Sequence, residues 1–292
     1  MKRILVLGGT RFFGKHMVSA LLAQGHSVAI ANRGQTPDPF GGTVERIVLE
    51  RTDADCICEA LSGKSFDVVC DSLAYTSNDV RALLDSYHPS RYVMTSSTVV
   101  YQPLTLHTTE ADFDPLQIPL KWCARGDDSY AACKQQAEAA LRQIYPSVPA
   151  VAVRFPFVIG EDDYTRRLYF YVENTIKGIP VYVDNLDAQM AFVHAQEAGR
   201  FLAWAAVQDY TGSLNGASVG TISIREILQY VERQTGSRAV LDPNGLLAPY
   251  NGTGPYSIDT ALSRRLGFLF SNLDDWIYTL LDALIQQARV SI

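Results

Sequence analysis

The stretch Met1–Gly14, MKRILVLGGTRFFG, decides how the chain is read. Ile4-Leu5-Val6-Leu7 is a short, unbroken apolar run, the pattern of a strand buried on both faces of a parallel sheet. Gly8 and Gly9 follow at once, and from Phe13 through Leu22 apolar residues recur at helical spacing. Strand, glycine turn and helix in this order form the context a dinucleotide fingerprint requires. Gly8 and Gly9 permit a tight turn and let backbone N–H groups approach a pyrophosphate. The start of the helix offers unpaired donors and a positive dipole end, and Gly14 lets it pack close to the sheet.

The bulk of the sequence sets the limits of this reading. Its 292 residues are enough for one large core or two lobes, and 47% hydrophobic with 19% charged residues is ordinary for a globular protein. A net charge of −6 does not favour a nucleic-acid partner. Five cysteines at irregular spacings suit reduced thiols in a cytoplasmic protein, and their pattern suggests no metal site. Lys2 and Arg3 before Ile4–Leu7 make too short an apolar run for a signal peptide, and no run approaches a membrane span.

Apolar runs and helical patterns then alternate. Strands are expected at Ser27–Ala31, Val44–Leu49, Phe66–Cys70, Arg91–Ser97 and Val151–Phe155. Helices are expected at Ala54–Leu61, Asn78–Ser86 (capped by Asn78) and Ser129–Ile144. This βαβ spacing implies a right-handed, doubly wound parallel sheet, with Gln102–Asp128 as a long surface excursion. Beyond Pro156 the rhythm changes. Helices are expected at Tyr164–Lys177, His194–Val207, Ser223–Thr235 (with a Ser223/Glu226 capping box) and about Leu273–Arg289. Residues 1–155 are thus expected to form a dinucleotide-binding domain that also receives about 190–216, and 156–292 mainly a smaller substrate lobe.

Two features bear on the cofactor. An NAD-preferring fold carries an acid about 20 residues beyond the glycine turn, to hold the ribose 2′-hydroxyl. Here Asn32 and Arg33 stand there, and with Arg11 in the turn they point to a 2′-phosphate, hence NADP(H) over NAD(H). Glu50 or Asp53, just past the third strand, is expected to meet the adenine edge. For chemistry, Tyr130 and Lys134 lie four apart, one turn apart on one helix face. A neighbouring ammonium favours the phenolate, so Tyr130 is expected to exchange a proton with an alcohol or carbonyl, with Ser97 bonded to the same oxygen.

With these residues in view, the chain resembles the short-chain dehydrogenase/reductase superfamily, in its extended NAD-dependent epimerase/dehydratase branch. LGGTRFFG resembles the branch's glycine signature and TSSTVVY its serine-bearing strand end. YAACK is similar to its Tyr-x-x-x-Lys pair, VRFPFVIG to its strand-six motif and AFVHAQEAGRFL to its later helix. The resemblance implies an α/β, Rossmann-like doubly wound parallel sheet with a smaller C-terminal substrate lobe. It also implies a cytoplasmic NAD(P)-dependent oxidoreductase or epimerase, a homodimer or monomer, transferring hydride at an alcohol or carbonyl carbon of a sugar-like or small carbonyl substrate. Ser97, Tyr130 and Lys134 become the catalytic set, with Lys134 also binding the nicotinamide ribose. The implied cofactor set is Gly8, Gly9, Thr10, Arg11, Phe12, Phe13, Gly14, Asn32, Arg33, Glu50, Ala74, Tyr130, Lys134, Phe155 and Pro156.

Departures from the branch narrow the reading. Arg11 replaces the middle glycine, as in a divergent GGTRFFG subgroup of reductases and chloroplast stem-loop RNA-binding proteins. A non-catalytic NADP(H)-binding regulatory or RNA-associated protein with this fold is therefore the alternative. Thr98-Val99 stand where dehydratases carry Asp-Glu, which disfavours dehydration. Phe157 and Met190 replace polar residues that serve nucleotide sugars. Thr98, Phe157 and Arg166 are the substrate-site expectations. Arg166 and Arg167 together suit either an anionic substrate or a solvated face.

Overall fold

The computed structural model describes residues 1–290. From the N-terminus it runs β1 (Arg3–Leu7), α1 (Phe12–Ala23), β2 (Ser27–Asn32), β3 (Glu45–Val48), α2 (Ala54–Leu61), β4 (Val68–Asp71), α3 (Ser77–Ser86) and β5 (Tyr92–Ser97). After the excursion come α4 (Tyr130–Ile144), β6 (Ala150–Phe155), β7 (Phe157–Ile159), α5 (Arg167–Lys177), β8 (Val181–Tyr182), β9 (Phe192–His194), α6 (Ala195–Val207) and β10 (Gly212–Asn215). The chain closes with α7 (Ile224–Thr235), β11 (Leu246–Leu247), α8 (Ala261–Arg265) and α9 (Ile277–Val290). Seven strands form one sheet in the order β3-β2-β1-β4-β5-β6-β10, and every pairing in it is parallel. It is the Rossmann-like α/β fold that the βαβ rhythm implies.

Side chains on a strand alternate between faces, so this sheet feeds two cores. Ile4 and Val6 of β1 pack with α1 and α6 on one side. Leu5 and Leu7 pack with α2, α3 and α4 on the other. A third core, around Tyr171, Phe192 and Tyr250, is built from α5, α7 and α9 beyond the sheet's C-terminal ends. Gly199 lets α6 lie directly on α1, since a Cβ there would sit 2.6 Å from His16 Cβ and Met17 N. Among the described residues, no helix is long and apolar enough to cross a membrane.

Several boundaries differ from expectation. The helix α3 is capped by Thr76, which with Asp79 forms a reciprocal capping box, so Asn78 is an ordinary first-turn residue. The helix α5 begins at Arg167, because Arg166 takes a left-handed backbone (φ 54°) and leaves Tyr164 in the preceding turn. Leu273–Asp275 is a separate 3₁₀ turn ahead of α9. Two small pairings lie outside the main sheet: β7 runs parallel to β9, and β8, in the Val181–Val183 stretch that reads as a short strand, parallel to β11. Strands of two or three residues are too short for alternation to register.

One buried ion pair holds the far half of the sheet. Arg154 on β6 is fully buried, and its Nη2 lies 2.6 Å from Glu138 Oε2 on α4. Glu138 also accepts from the Ser96 hydroxyl at 2.6 Å. The other Arg154 donors reach the carbonyls of Glu110 and Phe113 and the Tyr101 hydroxyl, which donates to Asn215 on β10. Removing one partner of such a pair strands an uncompensated charge, which costs far more than replacing both. We expect Glu138→Ala to lose about 3–5 kcal/mol of unfolding free energy, and Arg154→Met with Glu138→Leu to lose clearly less. Urea unfolding of the three proteins gives the comparison. A double variant that loses as much as Glu138→Ala or more would show that a stranded charge is not what the single variant costs.

Candidate active site

The turn after β1 is built by close approach. Gly8 and Gly9 have φ of 96° and 86°, and the Gly8 N–H donates to Ala31 O at 3.0 Å. At Gly14 an added Cβ would meet Gly9 N and Cα at 3.1 Å, so a side chain here would push α1 off the turn. Arg11 stands at the N-cap of α1, and no side chain caps that end. The first-turn N–H groups therefore remain available to an anion. Phe12 takes φ 51°, a conformation that disfavours a bulky residue, with Phe13 and Tyr164 as ring neighbours at 5.5 and 6.1 Å.

Two cavities, each of about 740 Å³, open off the C-terminal ends of the strands. The first is walled by the glycine turn, the β2 end and the segment after β3. Gly8, Gly9, Thr10, Arg11, Phe12, Phe13, Gly14, Asn32, Arg33 and Glu50 all line it. The second is walled by β5, α4 and the loop after β6, and Ser97, Tyr130, Lys134, Phe155 and Pro156 line it. Phe12, Phe13, Ser72, Tyr75 and Tyr164 belong to both walls, so the two spaces form one groove. A glycine cradle that a Cβ would fill, uncapped helix donors and an adjoining cavity fit a dinucleotide.

Tyr130, Lys134 and Ser97 come together because α4 lies along the end of β5. Ser129 caps α4 through the Ala132 N–H, which starts the helix one residue before Tyr130. Lys134 is buried, with its ammonium donating to Ala74 O at 2.7 Å and Thr95 O at 2.8 Å. Burial lowers its pKa to about 8, although Asp71 and Glu138 pull the other way. Tyr130 keeps 49% of its surface exposed, so a ligand can reach it. Burial around the hydroxyl nevertheless raises its pKa to about 12, with Tyr75 adding to the rise and Ser97 and Arg167 opposing it. The expected lowering of this phenol by Lys134 is therefore not found in the free protein. Two of the ammonium's protons are committed to carbonyls, its nitrogen is 5.9 Å from the Tyr130 ring centre, and desolvation dominates.

Other expected residues fall into place unevenly. Asn32 uses its side-chain oxygen to accept from the Gly34 N–H at 2.7 Å, shaping the loop that presents Arg33. Glu50 accepts from the Thr52 N–H and hydroxyl, and these bonds with the Arg33 charge hold its pKa down. Ala74 is fully buried and lines neither cavity; its carbonyl positions Lys134 instead. Thr98 and Phe157 line the second cavity. Arg166 does not. The left-handed turn at Arg166 sends its guanidinium over the Tyr169 ring at 3.8 Å, beside a separate small cavity.

Three further arginines stand at these walls, of which only Arg167 had been considered for a ligand. Arg51 is buried behind the first cavity, where it donates to Asp71 and to the carbonyls of Leu73 and Asp79. Arg125, from the excursion, stacks over Tyr75 at 4.1 Å and donates to Leu73 O. Arg167 lines the second cavity beside Phe157.

Comparison with known proteins agrees with this fold. Residues 4–86 match the family model of the NAD dependent epimerase/dehydratase family. A UDP-glucose 4-epimerase structure from Thermotoga maritima superposes with a TM-score of 0.77 at 15% identity, covering 99% of both chains. In residues 4–86 the chain is thus similar to the NAD dependent epimerase/dehydratase family, and over nearly its whole length it shares the fold of solved epimerase and reductase structures. Curated relatives include the chloroplast stem-loop binding protein of 41 kDa b of Arabidopsis thaliana, 29% identical over 130 residues, 39% of this chain and 34% of that protein. The 2′-dehydrokanamycin reductase of Streptomyces kanamyceticus is 28% identical over 206 residues, 69% of this chain and 57% of that one. The matches thus span about a third and little more than half of these relatives' lengths.

The Lys134 environment carries a pH signature. Its folded pKa of about 8 lies below the ordinary 10.5, so between these values the unfolded chain holds a proton that the folded chain has released. Stability rises with pH wherever the unfolded state binds more protons. We expect the unfolding free energy of the wild type, relative to Lys134→Met, to increase from pH 8 towards 10.5. A constant difference across urea titrations in that range would show that Lys134 titrates normally.

Proposed function

We propose that this chain is a cytoplasmic NAD(P)(H)-dependent oxidoreductase or epimerase acting at an alcohol or carbonyl carbon of a sugar-like or small carbonyl substrate. The observation that carries the reading is that Ser97, Tyr130 and Lys134 face one cavity continuous with the glycine turn. The glycine turn and the open N–H groups of α1 would hold the pyrophosphate, with Arg11 beside it. Arg33, at the end of β2 with no acid beside it in sequence, favours a 2′-phosphate and hence NADP(H) over NAD(H). When bound, the nicotinamide supplies the acceptor or donor of hydride.

The residues of the chain manage the proton. Tyr130 exchanges it with the substrate oxygen, and a hydroxyl held protonated by burial serves first as an acid towards a carbonyl. Ser97, whose Oγ accepts from the Val99 N–H at 3.4 Å, has its own O–H available for the same oxygen. Lys134, fixed by two carbonyls, holds a positive charge at the base of the cavity and favours the phenolate as the proton leaves. Thr98 in place of an acid leaves no group here for elimination of water, so dehydration is disfavoured.

Tyr130→Phe should abolish turnover while NADPH affinity, read from nucleotide fluorescence, stays within about twofold, since one hydroxyl is lost and the groove keeps its shape. Undiminished turnover would remove Tyr130 from the mechanism. Arg33→Ala should weaken NADPH by about tenfold or more and leave NADH nearly unchanged, as expected for a charge-assisted phosphate contact. Tighter binding of NADH by the wild type would make Arg33 a plain loop cation. The similarity to the chloroplast stem-loop binding protein favours a second reading, an RNA-associated protein with the same fold. A gel-shift with structured RNA at rising salt decides it: strong, salt-sensitive binding supports that reading and none removes it.

A further inference from the structure

The second cavity has a lopsided charge. Among the described residues none of its lining side chains is Asp or Glu, although the chain as a whole carries −6. Its two cations differ in what they have left to give. Lys134 is occupied by Ala74 O and Thr95 O. Arg167, at the first turn of α5, makes a single side-chain hydrogen bond among the described residues, from Nε to Thr165 Oγ1 at 3.0 Å, and no ion pair with any of them. Its guanidinium lies 5.4 Å from the Phe157 ring centre and 5.9 Å from that of Tyr250. Asp163, four residues earlier, commits Oδ1 to the Thr165 N–H and hydroxyl and does not line this cavity. The two terminal amino groups of Arg167 are thus unpaired, beside aromatic faces, in a cavity without an acid. That fork matches a carboxylate or phosphate in a paired geometry.

The polar contacts that would favour a nucleotide sugar are correspondingly weak. Phe157 packs against Tyr250 at 4.4 Å between ring centres, and Met190 is fully buried, its sulfur accepting from Asn185 Nδ2 at 3.8 Å. We propose that the cavity takes a small hydroxy or oxo acid, its carboxylate or phosphate held by Arg167 and its reacting carbon presented to Tyr130. The inference rests on the oxidoreductase or epimerase reading above and names the substrate class for the same site. Arg167 is its specificity-determining residue. It also reaches Tyr130 electrostatically, so an anion seated on it screens a charge that otherwise favours the phenolate.

The test measures binding to the NADPH-loaded protein by calorimetry, with glycerol, glycerate, glycerol 3-phosphate and UDP-glucose as probes. Glycerate or glycerol 3-phosphate should bind about tenfold or more tightly than glycerol, and the better of the two identifies the anion. Arg167→Gln should erase that advantage and Arg167→Lys restore part of it, while NADPH affinity holds in both as the control for folding. Anions no better than glycerol, anions undiminished by Arg167→Gln, or UDP-glucose binding more tightly than either anion and indifferent to Arg167 would each overturn the proposal. Failure of the wild type to bind NADPH or NADH at all would instead overturn the reading beneath it.

Discussion

The buried pairing of Arg154 with Glu138 is the constraint on which the half of the molecule around Tyr130 depends. A guanidinium with no solvent exposure must find partners for its donors, and it draws them from four places: α4, the excursion after β5, Tyr101 and, through Tyr101, β10. Glu138 lies one turn beyond Lys134 and two beyond Tyr130 on α4. Locking Glu138 onto β6, with Ser96 of β5 as its second partner, therefore fixes the rotation of the helix that presents the phenol. The same contacts draw the carbonyls of Glu110 and Phe113 inward, so the long excursion is anchored at its middle.

A second buried charge follows from the first. Once α4 is seated, Lys134 is carried beneath the ends of β4 and β5, where Ala74 and Thr95 supply carbonyl oxygens in place of water. The opposing pKa directions of Lys134 and Tyr130 share one cause, loss of water around both charged forms. In the free protein the phenol is kept protonated and the ammonium is partly destabilised.

How much of the site was legible follows from how local each signal is. The glycine turn, Ser97 after its strand, and the Tyr130/Lys134 pair depend on spacing within one or two elements, and each stands at the groove. Arg167 was paired with Arg166 because adjacent residues look alike in a sequence. One residue in a left-handed conformation separates them, turning Arg166 onto Tyr169 and Arg167 into the cavity. Arg51 and Arg125 gave no warning, because their partners are Asp71, Asp79 and the Leu73 carbonyl, brought near only by strand order. Ala74 was expected to touch the cofactor, and instead its carbonyl orients Lys134.

The order of strands and helices, the parallel sheet and the glycine turn after β1 were determined by the sequence itself. They rest on hydrophobic period and on glycine where no Cβ fits, and both are properties of neighbouring residues. Tertiary structure alone decided which charges are buried as partners, which arginine faces the cavity, and that the phenol's pKa is raised. Each of these depends on the distance between elements far apart in the chain and on how completely their packing removes water.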